Sequence, residues 1–174
     1  MTLDFGRIKK EMYELENKLS YRFNDISWLE KAMHSQRLKN KETDGINHKD
    51  YSNEALATVG DAVLKLVIAD FLFSSEEGIR KASISRIKES LEQNNVLYDV
   101  LISETIDDYA YKDDHFRKDE KNTKSFDDNK VSCNKHDMYI EAIVGAIYYD
   151  SGFEKTKRWI NEWLLPRLEK NKVV

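Results

Sequence analysis

Hydrophobic residues recur along this chain at the three- and four-residue spacing of α-helices. The first stripe predicts a helix over about residues 7–19, and it consists of Ile8, Met12, Leu15 and Leu19. A second helix is expected to begin near Asp25, and residues 37–51 are polar enough to predict a loop. The next segment, about Asn53 to Phe73, is apolar on nearly every side, which predicts a central buried helix.

The second half of the chain continues this helical pattern. A helix is expected to start at Ser83 or Ser85 and to run on through Leu91, Val96 and Leu97. Residues 107–134 carry a dense run of charges and are interpreted as a surface insertion. The last two predicted helices open near Asp137 and Glu154, and they end at Gly152 and just before Pro166.

Composition supports an all-α fold, because the chain has one proline and 6 glycines to interrupt its helices. Its 174 residues, 40% of them hydrophobic, suit one helical bundle domain over residues 1–174. No apolar run approaches the roughly 20 residues of a membrane span, and the N-terminus lacks the order of a signal peptide. The single cysteine, Cys133, excludes an intrachain disulfide and favours the reducing cytoplasm.

Acidic residues interrupt two apolar helices in a pattern that points to metal chemistry. Glu54 and Asp61 are seven residues apart, and Asp137 and Glu141 are four apart, so each pair shares a helix face. Small residues flank Asp61 and Glu141, which would therefore meet if the two helices cross closely. Carboxylate oxygens are the ligands that Mg²⁺ prefers, although spacing alone also allows structural or surface acids.

Five segments resemble sequence motifs of the ribonuclease III family, and they occur in the same order. The segment from Asn53 to Leu64 is similar to the family signature N-E-x-L-E-F-L-G-D-x-V-L. The segments Leu15–Phe23 and Leu29–Ser35 resemble its opening motifs L-E-x-x-L-G-Y-x-F and L-x-x-A-L-T-H-x-S. Ile84–Leu91 and Glu141–Phe153 resemble L-S-x-x-R-x-x-L and E-A-L-I-G-A-I-Y-L-D-G-G-F, so the resemblance covers about residues 12–165.

This resemblance implies the ribonuclease III endonuclease fold and a homodimer whose two sites each cut one strand of an RNA duplex. It implies catalytic roles for Glu54, Asp61 and Glu141, with Asp61 and Glu141 as the principal metal ligands. The expected cofactor is Mg²⁺, for which Mn²⁺ can substitute, and no organic cofactor is expected. The expected substrates are double-stranded or structured RNAs, for example in the processing of ribosomal RNA.

The chain departs from the family pattern at three positions that bear on activity. Ala57 replaces a usual glutamate, Met138 replaces a usual aspartate, and Thr58 replaces a phenylalanine of the usual dimer contact. Asp137 is the candidate metal ligand in place of Met138. No double-stranded RNA-binding domain is expected after the catalytic domain, as in Mini-III ribonucleases, which also retain fewer acids. The alternative is therefore a non-catalytic RNA-binding or ribosome-associated protein that keeps the fold.

Contacts with RNA would depend on local basic residues, because the net charge of −4 argues against a broad cationic surface. The candidates for phosphate contacts, which lie on or just before one predicted helix, are Arg80, Lys81, Arg86 and Lys88. Lys155, Lys157 and Arg158 lie on the last helix. An interpretation of both groups as solvated helix faces is equally consistent with the sequence.

Overall fold

The computed structural model describes residues 5–34, 52–74, 91, 93–110 and 138–171, with side chains from residue 10 onward. These residues are mostly helical, which confirms the predicted all-α class. Helix α1, Phe5–Leu19, buries Met12, Leu15 and Leu19 and so confirms the first predicted stripe. None of the helices in the described part of the chain combines the length and apolar character needed to cross a membrane.

Helix α2, Ser27–Ala32, begins two residues after the predicted start near Asp25. Asp25 stands just before the helix, and its carboxylate accepts a 3.0 Å hydrogen bond from the Ser27 amide. Hydrogen bonding to the Ser27 side chain, and then to this amide, lowers the pKa of Asp25, because both bonds favour the ionised carboxyl. Asp25 therefore precedes α2 and binds the amide of its first residue, and it is not part of the first helical turn.

The centre of the domain is the packing of α3, Glu54–Ser74, against α5, Tyr139–Ser151. These two helices share the most extensive contact among the described elements. Nine consecutive residues of α5, from Tyr139 to Ile147, are buried, so this helix has almost no solvent face. The sequence predicted both helices, and their nearly uniform hydrophobicity follows from this burial.

Helix α4, Asn94–Ser103, corrects the prediction of one helix running through Val96 and Leu97. Gln93 has an extended backbone, with φ −65° and ψ 134°, so Val96 and Leu97 belong to a separate helix. Tyr109 and Ala110, which the prediction placed in the surface insertion, pack with the core. Three residues separate the end of α4 at Ser103 from a 3₁₀ turn, Asp107–Tyr109, and Ala110 after this turn is buried in the core. Residues 111–134 lie outside the described part of the chain.

The C-terminal helices correct the prediction of an end before Pro166. Helix α6, Phe153–Trp159, passes through a π-helical segment, Ile160–Leu164, into α7, Leu165–Asn171. Proline lacks an amide proton, and its ring crowds the carbonyl four residues earlier, which here belongs to the π segment. The wider π turn provides room for the ring, so the helical path continues. The predicted stop at Gly152 is confirmed by its φ of 80°.

Two side-chain clusters hold the peripheral helices against the central pair. The indole nitrogens of Trp159 and Trp163 donate hydrogen bonds to the carbonyls of Leu19 (2.7 Å) and Lys18 (3.0 Å), which ties the C-terminal helices to α1. The Asp150 carboxylate, at the end of α5, accepts hydrogen bonds from the loop between α1 and α2. Its donors are the Tyr21 hydroxyl, the amides of Asn24 and Asp25, and the Asn24 side chain.

Candidate active site

Helices α3 and α5 cross with their backbones in direct contact at two glycines. A Cβ atom added to Gly60 would lie 1.7 Å from the Glu141 carbonyl oxygen. One added to Gly145 would lie 2.1 Å from the Leu56 carbonyl oxygen. Because any side chain would collide with the opposite backbone, only glycine allows this approach. The crossing places Asp61, next to Gly60, beside the first turn of α5.

Asn53 fixes the start of α3 and thereby the position of Glu54. Its side-chain amide donates a 3.1 Å hydrogen bond to the Ala32 carbonyl, and its backbone amide donates to the His34 carbonyl at 2.9 Å. Asn53 is buried, so these bonds also satisfy polar groups removed from water. Glu54 is then the first residue of α3, with a half-buried side chain. The asparagine of the signature thus has a structural role.

Glu141 is the buried carboxyl of the candidate site, with 8% of its surface exposed. It occupies the first turn of α5. Burial raises the pKa of Glu141 to about 7, since loss of water penalises the charged form. The negative charge of Asp61 raises this pKa further, whereas the backbone amide of Glu141 and the ammonium of Lys65 lower it. Asp61 and Glu141 are therefore electrostatic neighbours across the helix crossing.

Asp61 forms an ion pair with Lys65 one turn further along α3. The Lys65 Nζ atom lies 2.7 Å from Asp61 Oδ2, and 45% of each side chain is exposed. Lys65 is not among the site residues predicted from the sequence. Its position four residues after Asp61, on the same helix face, is the signal that could have identified it.

Asp61 and Glu141 form a donor set that fits a hard divalent cation. Mg²⁺ is commonly held by one or two carboxylates, with water and substrate phosphates completing its shell. The described residues contain no group of three or more acidic, histidine or cysteine ligands. The buried Glu141 lies beside a second carboxylate, an arrangement that a cation would stabilise by offsetting the repulsion between them.

Asp137, which was predicted as a metal ligand on the Glu141 face, stands two residues before the start of α5 in the sequence. The helix begins at Tyr139, and Met138 before it has a non-helical ψ of 45°. The prediction placed Asp137 in the first helical turn and on the Glu141 face, which requires a continuous helix. Asp137 itself lies outside the described residues, so its role stays a prediction.

The departures from the family signature occupy contrasting environments. Ala57 is fully buried in the core, and Met138 packs against the core from the edge of α5. Thr58 is exposed, and its hydroxyl donates a 2.9 Å hydrogen bond to the Glu54 carbonyl. Positions 57 and 138 therefore hold apolar side chains, and the part of Glu54 in the site stays a prediction.

The predicted RNA-contacting residues Arg80, Lys81, Arg86 and Lys88 lie outside the described residues. On α6, Lys155 and Arg158 are exposed. Lys157 forms a 2.7 Å ion pair with Asp70 of α3, which raises the pKa of Lys157 through that hydrogen bond and charge. Of these three basic residues of α6, Lys157 therefore forms an ion pair within the protein.

Comparison with solved structures shows the class of fold to which this arrangement of helices belongs. The nuclease domain of ribonuclease III from Campylobacter jejuni, described for flexibility in a region involved in dimer formation, aligns with a TM-score of 0.67. The two chains are 26% identical, and the match covers 90% of this chain and 95% of that one. The domain therefore has the all-α fold of ribonuclease III nuclease domains.

Sequence comparison then shows the family. The model of the Ribonuclease-III-like family matches residues 30–168, and the chain belongs to this family. It is similar to ribonuclease 3 of Shewanella sediminis, with 28% identity over 91% of this chain and 63% of that protein. Ribonuclease 3 of Treponema pallidum is 28% identical over 92% of this chain. The chain thus spans about 60% of the length of these relatives (63% and 59%).

Proposed function

We propose that this protein is a Mg²⁺-dependent endoribonuclease that cleaves double-stranded or structured RNA, including precursors of ribosomal RNA. The observation that carries the proposal is the glycine-lined crossing of α3 and α5, where the Asp61 and Glu141 carboxylates are electrostatic neighbours. The names of the similar proteins support the class of reaction. The single cysteine keeps the cytoplasm as the expected compartment.

In this proposal Asp61 and Glu141 hold the cation, and Glu54 assists from the start of α3. A bound Mg²⁺, or Mn²⁺ in its place, would supply an activated water and stabilise charge on the phosphate. Glu141 must lose its proton to act as a ligand, and its raised pKa makes that loss pH-dependent near neutrality. The backbone contact of Gly60 with Glu141 gives the pair a rigid base, which preorganises the carboxylates.

A homodimer belongs to the same proposal, because one site would cut only one strand of a duplex. The exposed side of α3 carries Leu66 and Phe73, with 56% and 72% of their surfaces exposed. Contiguous exposed apolar patches are typical of association surfaces, and Leu66 and Phe73 are seven residues apart, on one face of α3. Thr58 is exposed on the same helix, and it offers less apolar area than the phenylalanine that the family resemblance implies there.

The test is cleavage of a long RNA duplex with Mg²⁺ by the wild type, Asp61→Ala and Glu141→Ala. Each substitution removes one expected ligand, so we expect cleavage to be lost while circular dichroism shows the same helical content. Glu14→Ala, which removes a half-exposed carboxylate from α1, is the control. Cleavage by either site variant at the wild-type rate would show that the assigned ligands are wrong.

The second candidate function is RNA binding without catalysis. It is favoured by the apolar environment of positions 57 and 138, where the family resemblance implies two further acids. If this candidate is correct, the wild type binds duplex RNA in a gel-shift assay but does not cleave it with Mg²⁺ or Mn²⁺. Cleavage by the wild type that depends on Asp61 would exclude it.

A further inference from the structure

In the described part of the structure, the ammonium of Lys65 pairs with the Asp61 carboxylate of the candidate site. Lys65 Nζ lies 2.7 Å from Asp61 Oδ2. The same charge acts on Glu141, whose pKa it lowers, while Asp61 raises that pKa. The lysine thus provides positive charge at the carboxylate pair, where a metal ion would also provide it.

This ammonium can leave the carboxylates without disturbing the core. Both Lys65 and Asp61 are nearly half exposed, and they lie one turn apart on a helix that other residues anchor. Exposed ion pairs one helical turn apart contribute little to stability, and the four-carbon stem of lysine can turn toward solvent. The pair is therefore weak enough to exchange with a divalent ion.

We propose that Lys65 is the counter-cation of Asp61 and Glu141 in the metal-free protein, and that a divalent cation binds by displacing its ammonium from Asp61. The inference rests on the metal site proposed above. It assigns to Lys65 a role in setting the metal affinity, because each binding event must break the ion pair and place a second positive charge near the first.

The chain provides a matched control for this role. Lys157 and Asp70 form an ion pair of the same length, 2.7 Å, with 35% and 47% of their side chains exposed. Asp70 lies nine residues beyond Asp61 on α3, about 13 Å away along the helix. Lys157→Met removes an equal charge and an equal ion pair, but at a distance from the carboxylates at which salt screens the interaction.

The experiment is a direct measurement of Mn²⁺ binding by electron paramagnetic resonance, without RNA. We expect Lys65→Met to lower the Mn²⁺ dissociation constant by about threefold to tenfold, since it removes both the competitor and a nearby positive charge. Lys157→Met is expected to bind Mn²⁺ within about twofold of the wild type. Lys65→Arg keeps the charge and is expected to stay near the wild-type affinity.

Failure of this inference can be distinguished from failure of the metal site. If Lys65→Met binds Mn²⁺ no more tightly than the wild type does, the counter-cation role is overturned. Loss of Mn²⁺ binding in Asp61→Asn would still support the metal site in that case. Absence of Mn²⁺ binding in the wild type, Lys65→Met and Lys65→Arg would overturn both proposals. Binding that appears only in Lys65→Met would support displacement of the ammonium.

Discussion

Replacing Glu141 with glutamine should change how the stability of the metal-free protein depends on pH. Glutamine has nearly the same shape as glutamate but carries no charge, so the substitution isolates the electrostatic contribution of one buried carboxyl. Glu141 is 8% exposed, and its pKa is raised to about 7 from an ordinary value of 4.5, mainly by burial. The repulsion from Asp61 acts in the same direction.

The direction and magnitude follow from proton linkage. Below pH 4.5 this carboxyl holds a proton in both the folded and the unfolded state, so its ionisation has no effect on stability. Between pH 4.5 and 7 the unfolded chain releases the proton while the folded protein keeps it, so the free energy of unfolding falls as pH rises. Above pH 7 the full loss, about 3 kcal/mol at 1.36 kcal/mol per pKa unit, is present.

The assay is urea unfolding of both proteins between pH 4 and 8 with a chelator present. We expect the stability of Glu141→Gln relative to the wild type to rise by about 3 kcal/mol across this range. Glu14→Gln makes the same chemical change at a half-exposed side chain and controls for the loss of one formal charge. Parallel stability curves for the wild type and Glu141→Gln would refute the reasoning. Added Mn²⁺ should stabilise the wild type more than Glu141→Gln.

Further predictions concern the helix crossing, the Asp150 cluster and the dimer. Gly145→Ala should lower the free energy of unfolding by about 2 kcal/mol or more in urea titrations, since the alanine Cβ would meet the Leu56 carbonyl oxygen at 2.1 Å. A variant as stable as the wild type would contradict the close crossing. Asp150→Ala should lower the free energy of unfolding by about 1–3 kcal/mol, because four donors, including the Tyr21 hydroxyl, lose a carboxylate partner. A thermal midpoint equal to that of the wild type would be inconsistent with this role. The wild type should sediment as a dimer at micromolar concentration, and Leu66→Glu should shift it toward the monomer by placing charge on the exposed face of α3. A wild-type monomer would count against the proposed assembly.

The local pattern of the sequence predicted the helices most successfully where burial is nearly complete. The helices α3 and α5 are apolar at almost every position, and their predicted bounds lie within two residues of those observed. The prediction was wrong where a single residue determines the chain path. Gln93 interrupts a continuous apolar pattern by adopting an extended backbone, whereas Pro166 lies inside a helical path that a π segment widens.

The sequence alone was sufficient to select the carboxylates and the small residues between them. Glu54, Asp61 and Glu141 follow from motif register, and the glycines beside them indicate a close helix contact. The sequence did not reveal that Gly60 lies directly against the backbone of Glu141, because that distance depends on the relative placement of two helices about 80 residues apart in the chain. The assignment of these carboxylates to a metal site therefore stays a prediction, which the substitutions above test.

Only the tertiary structure determined the electrostatic character of the two carboxylates. Asp61 and Glu141 both stand on apolar helices in the sequence, yet one is half exposed and paired with Lys65, and the other is buried with a pKa of about 7. The difference arises because α5 is enclosed at nearly every position, while Asp61 lies at the edge of the crossing. The sequence specified which groups are present, and the packing of α3 against α5 decided how much water each one retains.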